Sequence, residues 1–377
     1  MTIKGLQLYS LIKEDSTLEI ALAEVEMPEP LPDEVIVRVE ATPLNPSDLG
    51  LLFGPADMRT ATMSGTAERP VISAQIPENL MQLATPRLGK AMPVGNEGAG
   101  VVVAAGSSDA AQALMGKTVG MAGGGMYAQY RCLKVSMCMD LPEGTTAAQA
   151  ASCFVNPLTA LGMVETMRTE GHTALVHTAA ASNLGQMLNR LCIEEGIDLV
   201  NIVRKPEQEA LLRDLGAETI CNSTADTFDN DLTEALVKTG ATIAFDAIGV
   251  GDLASRILKC MEVAATQNSS DYSHYGSDVY KQVYIYGRLD KGPTMLKRDY
   301  GVSWGVGGWL LLPFMKKAGA QRITELNARI AAGLKTIFAS HYTKEVSLAE
   351  ALSLEAIAEY SRHTTGEKFL ITPHSRT

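Results

Sequence analysis

Ala180, Ser182 and Gly185 stand at i, i+2 and i+5, behind an apolar run at residues 174–177 and ahead of a helical run at 184–195. A turn with that spacing suits a pyrophosphate. Small side chains let backbone N–H groups approach it, and the following helix turns its positive end toward the negative charge. Ala181, Asn183 and Leu184 complete the turn, and of the three positions where glycines are usual only the third, Gly185, keeps one. About twenty residues on, where an acidic side chain would hold the ribose hydroxyls of NAD, the sequence has Arg204 and Lys205. A carboxylate there would repel a 2′-phosphate. A guanidinium binds one through its fork of N–H donors and can stack on adenine, so the expected cofactor is NADPH.

These residues need a scaffold in which a parallel strand runs into a helix. Residues 173–178, 199–203, 243–247 and 283–286 read as short buried strands, with helical runs at 184–195 and 206–215 among them. Alternation of this kind builds a doubly wound parallel sheet covered on both faces. Upstream the period differs. Charged and β-branched residues alternate at 34–40 as in a half-buried strand, strand-like residues run through 98–103, and glycines punctuate 106–125, which together predict a compact β-rich domain. From residue 146 the apolar spacing turns helical, with Asn156 and Pro157 breaking or starting a helix. Beyond 321, helical runs at 322–334 and 348–360 lead to a strand at 368–371 that is expected to return to the first sheet. The predicted division is a discontinuous first domain, residues 1–150 and 318–377, around a nucleotide domain at 151–317.

Composition narrows the function classes. A net charge of −11 offers no clustered Lys and Arg to neutralise phosphates, which argues against a nucleic-acid partner. The amino terminus lacks an apolar core of signal-peptide length, and residues 304–315 are too short and glycine-rich to span a bilayer, so they are expected in a packed interior. No membrane partner is expected. Six cysteines spread from Cys132 to Cys260 without a CxxC pair fit free thiols in a reducing cytoplasm.

Residues 44–48, 95–100, 142–144, 155–160, 215–218 and 245–249, taken in order, resemble the medium-chain dehydrogenase/reductase superfamily, from about Met27 to the C-terminus. The chain looks most like the superfamily's zinc-free NADPH:quinone oxidoreductases and 2-enoyl-thioester reductases. That resemblance implies an α/β protein with a GroES-like β-rich catalytic domain and a Rossmann doubly wound parallel-sheet domain. It places Asn45, Asn156 and Thr159 near the nicotinamide and ribose, with Asn45 and Thr159 as candidate catalytic groups. It gives the pyrophosphate to residues 180–185, the nicotinamide border to Gly249, Tyr286 and Gly287, and a reach to the cofactor to Lys368. Subunits of the family pair through the edge of the nucleotide-binding sheet, so a homodimer is expected around Trp304 and Trp309.

The departures from the zinc alcohol dehydrogenases are as informative. Where those enzymes have a cysteine before the first-motif aspartate this chain has Asn45, and where they have Gly-His-Glu it has Gly95, Asn96 and Glu97. No cysteine precedes Cys132, so neither a catalytic nor a four-cysteine structural zinc is expected. Reduction of a quinone or an α,β-unsaturated carbonyl can then proceed by hydride delivery, with hydrogen-bond donors on the developing oxyanion. The tyrosine that enoyl-thioester reductases use as proton donor has no counterpart at 51–56, which leaves the proton donor open. A 2-enoyl-thioester reductase and a non-catalytic NADPH-binding protein are the alternatives.

The remaining titratable residues read as structural. His177 fits an interior imidazole, Asp48 a structural carboxylate, Asp246 a loop holder, and Lys117 and Lys134 solvated charges. Segments 60–91 and 268–280 are atypical for the family and are candidates for a substrate wall, while Tyr272, Tyr275 and Tyr280 read as solvent-facing loop tyrosines.

Overall fold

The computed structural model describes residues 2–267, 273–287, 289, 292–362 and 368–375. The chain forms two compact units, Met1–Val155 with Asn327–Thr377, and Asn156–Leu326. Their boundaries lie a few residues past the expected 150/151 and 317/318. One falls at the start of helix Val155–Thr169 and the other in the later part of Leu311–Gly333, beyond the non-helical Gly319 (φ 82°) that splits this stretch into two helices close to the expected boundary.

In the first unit, strand Glu34–Pro43 pairs antiparallel with Glu97–Ala105, Tyr130–Lys134 and Phe369–Ile371. Alternation at 34–40 suggested a half-buried strand. With neighbours on both edges it is covered more fully, and Val35, Ile36, Val37, Val39 and Ala41 are all buried. The tail returns as expected, with Leu370 opposite Pro43 and Ile371 opposite Thr42. Helix Pro46–Leu52 follows the central strand directly, and Pro46 occupies its first turn, where a missing N–H leaves no bond unmade.

A second sheet of the same unit runs Asp57–Gly65, Pro70–Gln75, Thr17–Glu26, Lys4–Ile12, Met92–Pro93. The atypical segment 60–91 therefore adds a hairpin to a sheet edge, and it also reaches back. Arg87 donates through Nη1 to Leu51 O (2.8 Å) and through Nη2 to Ser10 Oγ (2.7 Å), while Ser10 Oγ donates to Leu52 O (2.8 Å). The carboxyl end of helix Pro46–Leu52 thus has partners for carbonyls that the helix itself leaves open.

The second unit is one parallel sheet in the order Thr219–Asn222, Leu199–Val203, Leu175–His177, Ile243–Asp246, Lys281–Ile285, Trp304–Gly308. Chain order reverses beside the first strand, as in doubly wound nucleotide-binding sheets. Leu199, Val200, Ile202, Val203, Ile243, Ala244 and Phe245 are buried, which explains the unbroken apolar runs in the sequence. Residues 304–315 do not sit in a packed interior. Trp304–Gly308 is an edge strand with a neighbour on one side only, and Leu310 and Leu312 are 61% and 67% exposed. Trp309 is the anchored part, donating from Nε1 to Thr166 Oγ1 (3.0 Å) against the rings of Phe245 and Phe314.

Lys281, at the start of its strand, is fully buried and ion-paired with Glu262 of helix Leu253–Gln267 at 2.5 Å. It also donates to Val279 O (2.9 Å) and Ser277 Oγ (3.1 Å), and Ser277 N–H donates to Glu262 Oε1 (2.7 Å). This pair pins the described part of the second atypical segment, while Tyr275 and Tyr280 stay exposed. Tyr272 lies outside the described residues. Among the described residues, Ala147–Thr169 is the one helical stretch long and apolar enough to cross a membrane, and 67% of its apolar window is buried inside the protein.

Candidate active site

In the second unit, strand Leu175–His177 ends in Thr178, and the chain turns sharply through Ala179 at φ 51°. Ala180 and Ala181 are buried, and Ser182 caps helix Asn183–Glu195 by accepting at Oγ from Gly185 N–H (3.1 Å). Gly185 carries the tightest constraint. A Cβ there would fall well inside contact distance of Ala180 O, so the helix can lie against the loop only because this residue has no side chain. The first N–H groups of a helix have no intrahelical acceptors, which is the property an anionic diphosphate uses.

Arg204 and Lys205 follow strand Leu199–Val203, and both are exposed. Arg204 is held by its backbone, N–H to Gln208 Oε1 (2.9 Å) and O from Thr224 Oγ1 (3.1 Å), which leaves the guanidinium projecting. Two hydroxyls not singled out in the sequence, Ser223 and Thr224, stand beside it at the end of the neighbouring strand.

The other strand ends of this unit are tied together by Asp246. Its carboxylate accepts from Thr178 Oγ1 (2.8 Å), Ile248 N (2.9 Å) and Gly249 N (3.2 Å), which fixes the turn at Gly249 (φ 75°) and bears out its loop-holding role. At Gly287 a Cβ would collide with Ala247 O, so two chain segments meet there backbone to backbone. His177 Nε2 lies 2.8 Å from Tyr286 OH, and burial pushes the imidazole down to about 3, so it is neutral and interior as expected. Its Nδ1 has no hydrogen-bond partner among the described residues. Thr159 is buried and Asn156 half-buried on the first turns of helix Val155–Thr169.

The first unit gathers a buried polar cluster around Glu97. Its Oε1 accepts from Asn45 Nδ2 (2.8 Å), and its Oε2 from the N–H groups of Phe154 (2.7 Å) and Val155 (2.8 Å). Burial raises the Glu97 carboxyl, opposed first by the charge of Lys368. Lys368 is itself buried; desolvation lowers its ammonium to about 8, against the pull of Glu97 and Asp48. Its Nζ donates to Ser152 Oγ (2.7 Å), which also takes a hydrogen bond from Tyr342 OH (2.8 Å). Asp48 accepts from the backbone of Asn45 (2.8 Å) and Asn96 (2.9 Å), which holds the two motif loops together and fits its structural reading. Among the described residues, Asn45 Oδ1 is buried without a partner.

The family described as "Alcohol dehydrogenase GroES-like domain" matches residues 31–143. A Mesorhizobium loti protein assigned as an NADPH:quinone reductase superposes with a TM-score of 0.73 at 26% identity, covering 99% of this chain and 100% of that one. The chain has the fold of the medium-chain dehydrogenase/reductases. The same medium-chain fold is found in a mutant enoyl thioester reductase from Candida tropicalis, with a TM-score of 0.67 at 18% identity over 99% of this chain and 100% of the other. The mitochondrial enoyl-[acyl-carrier-protein] reductase of Xenopus tropicalis is 29% identical over 209 residues, 53% of this chain. Against the curated relatives it matches, the chain spans about half their length or less, 51% for the frog protein.

Within the medium-chain fold, the residues singled out from sequence form two groups. The loop 180–185, Arg204, Gly249, Tyr286 and Gly287 gather at the carboxyl ends of one sheet, whereas Asn45 and Lys368 meet at Glu97 in the other unit. Sequence reasoning missed Ser152 and Tyr342, which have no motif and lie far apart in the chain. Glu97 was read only as part of a glycine-rich motif. Among the described residues, no three His, Cys, Asp or Glu side chains converge in a way that could hold a metal ion.

Proposed function

We propose that this chain is a zinc-independent oxidoreductase that uses NADPH to reduce a quinone or an α,β-unsaturated carbonyl, acting as a cytoplasmic homodimer. The observation that carries the reading is Gly185 packed on Ala180 O at the start of helix Asn183–Glu195, followed by the exposed Arg204. Ala180 to Gly185 would hold the pyrophosphate, and Arg204 with Lys205 the 2′-phosphate. Asn45, Asn156, Thr159, Gly249, Tyr286, Gly287 and Lys368 are assigned to the ribose and nicotinamide end. NADPH, when bound, supplies a hydride. Asn45 Oδ1, a buried acceptor with no partner among the described residues, suits a donor of the ligand. The pairing surface proposed for the dimer is the open edge of strand Trp304–Gly308, flanked by exposed Leu310 and Leu312.

Nicotinamide fluorescence titrations with NADPH and NADH, followed by a small quinone and an enone, test the reading. NADPH should bind more tightly and be oxidised only with an acceptor present; equal affinity for the two nucleotides would sink the cofactor assignment. A second reading, 2-enoyl-thioester reduction, is favoured by the identity shared with the frog enoyl reductase. Turnover confined to a carrier-bound enoyl thioester would select it, and tight binding without turnover of any acceptor would mean a non-catalytic NADPH-binding protein.

A further inference from the structure

Lys368 and the two hydroxyls behind it form a chain that neither the nucleotide loop nor the fold requires. The ammonium has little exposure to water, yet its one hydrogen bond among the described residues runs to Ser152 Oγ, and from there to Tyr342 OH. Tyr342 in turn exchanges a hydrogen bond with Ser340, and its ring lies beneath the Lys368 charge at 5.6 Å. Ser340 and Tyr342 are only partly buried and flank the exposed His341, so this end of the chain reaches solvent. A hydroxyl oxygen accepts and donates at the same atom, so it can take up one proton and release another, which an ionised carboxylate filled by N–H donors does not. Glu97, the acid whose charge acts most on Lys368, is gripped by three N–H donors and offers no route for its proton.

We propose that Lys368 is the proton donor of the reduction, recharged from solvent through Ser152 and Tyr342. This rests on the reductase reading above. Two-electron reduction of an enone leaves an enolate. A Lys368 N–H bond breaks, its proton goes to the enolate, and a neutral amine remains. Ser152 then passes its hydroxyl proton to the amine, takes one from Tyr342, and Tyr342 takes one from solvent, so all three residues end as they began. A quinone reduced by the same two electrons gives a hydroquinone anion that water can protonate, and it needs the relay much less. The charged and titratable groups facing Lys368 or its relay are Glu97 from strand Glu97–Ala105, Asp48 from helix Pro46–Leu52, Tyr342, and Cys153 beside Tyr342.

Two measurements test it. In the nucleotide-free protein, exchange of the Lys368 Nζ protons with water is followed by nitrogen NMR in the parent and in Tyr342→Phe. A relay predicts slower exchange in the variant. A hydrogen bond with only a packing role predicts exchange unchanged or faster, and that result overturns the proposal. In turnover at saturating NADPH, Lys368→Met should lower enone reduction by about 10²-fold more than it lowers quinone reduction, the scale of a positioned acid; an equal loss with both acceptors would assign Lys368 to cofactor binding alone and overturn the donor role. Tyr342→Phe should slow steady-state enone turnover and shift its pH profile, and it covers the case in which Lys368→Met does not fold. An enone rate and pH profile unchanged in Tyr342→Phe would refute the relay while leaving the reductase reading intact. No NADPH oxidation by the parent with either acceptor removes the reductase reading and the donor role together.

Discussion

Replacing Lys281 by methionine keeps most of the side-chain volume and removes a charge that is 0% exposed, opposite a Glu262 side chain that is 10% exposed. Glu262 would keep the Ser277 N–H and hydroxyl (2.7 and 2.6 Å) but lose its counter-charge, and Val279 O would lose a donor. Breaking a buried pair costs about 3–5 kcal/mol, and the two surviving donors place this case near 3. For a unit of this size that is a fall in Tm of roughly 6–12 °C. Both tryptophans, Trp304 and Trp309, belong to the second unit, so their fluorescence during urea unfolding reports that unit even if the two unfold separately. Trp304 packs edge-on against Tyr300 at 5.0 Å, one residue from Gly301, whose Cβ position lies against Glu262 Oε1. The sign with pH is fixed by the pair. Its hydrogen bonds to Lys281 and Ser277 hold Glu262 below its usual value of 4.5 against the larger opposing effect of desolvation, so it stabilises above that pH and the gain is lost as pH falls through the lowered value. Without Lys281 the buried carboxylate is a burden that acid relieves, so parent and variant should converge toward pH 4. A loss under about 1 kcal/mol at neutral pH, or a gap that widens in acid, would refute the reasoning.

Three further perturbations probe the nucleotide loop and its supports. Gly185→Ala drives a methyl into Ala180 O and should cost about 1–3 kcal/mol in stability while weakening NADPH at least several-fold; parental affinity would mean the loop does not cradle the cofactor. Arg204→Ala removes charge-assisted bonds worth about 1.5–3 kcal/mol, so NADPH should bind about ten- to a hundredfold more weakly with NADH unaffected, as paired titrations would reveal. Burial holds His177 at about 3 against an ordinary 6.5, so its contribution is complete above 6.5 and drains as pH falls toward 3. His177→Gln should therefore flatten the acid limb of tryptophan-monitored stability by up to about 1.4 kcal/mol per pH unit, and an unchanged limb would show that the imidazole is not buried neutral.

Much of the second unit is legible in the sequence because its determinants are local. Strand Leu199–Val203 coincides with the apolar run, and Gly185 stands five residues from Ala180, whose carbonyl a side chain there would strike. Arg204 needs only its distance from the loop to be noticed. The first unit is harder, since its polar cluster draws residues 45, 97, 152, 342 and 368 from five separate segments, and each alone reads as motif punctuation or surface. Lys368 was reached only through resemblance, with no hint of Ser152 or Tyr342 behind it. Residues 304–315 misled for a different reason. Apolar content predicts burial, but an edge strand with nothing on its open side inside one chain leaves the same residues exposed.

The pairing of Phe369–Ile371 with Glu34–Pro43 has a consequence for how this protein is made. On a ribosome every strand of the Asn156–Leu326 sheet emerges before the strand that completes the earlier one. The nucleotide-binding unit can therefore fold as it appears, while the nascent amino-terminal sheet waits with Thr42 and Pro43, at the end of strand Glu34–Pro43, unpaired on the side that Phe369–Ile371 will take. Closing so long a loop adds little to the entropy cost, which grows only logarithmically with length, but it sets a delay during which that open edge can pair wrongly. Lys368, adjoining the last strand, arrives with it. Any nascent chain released or cut before residue 368 would thus hold a complete nucleotide loop and lack the ammonium that faces Glu97.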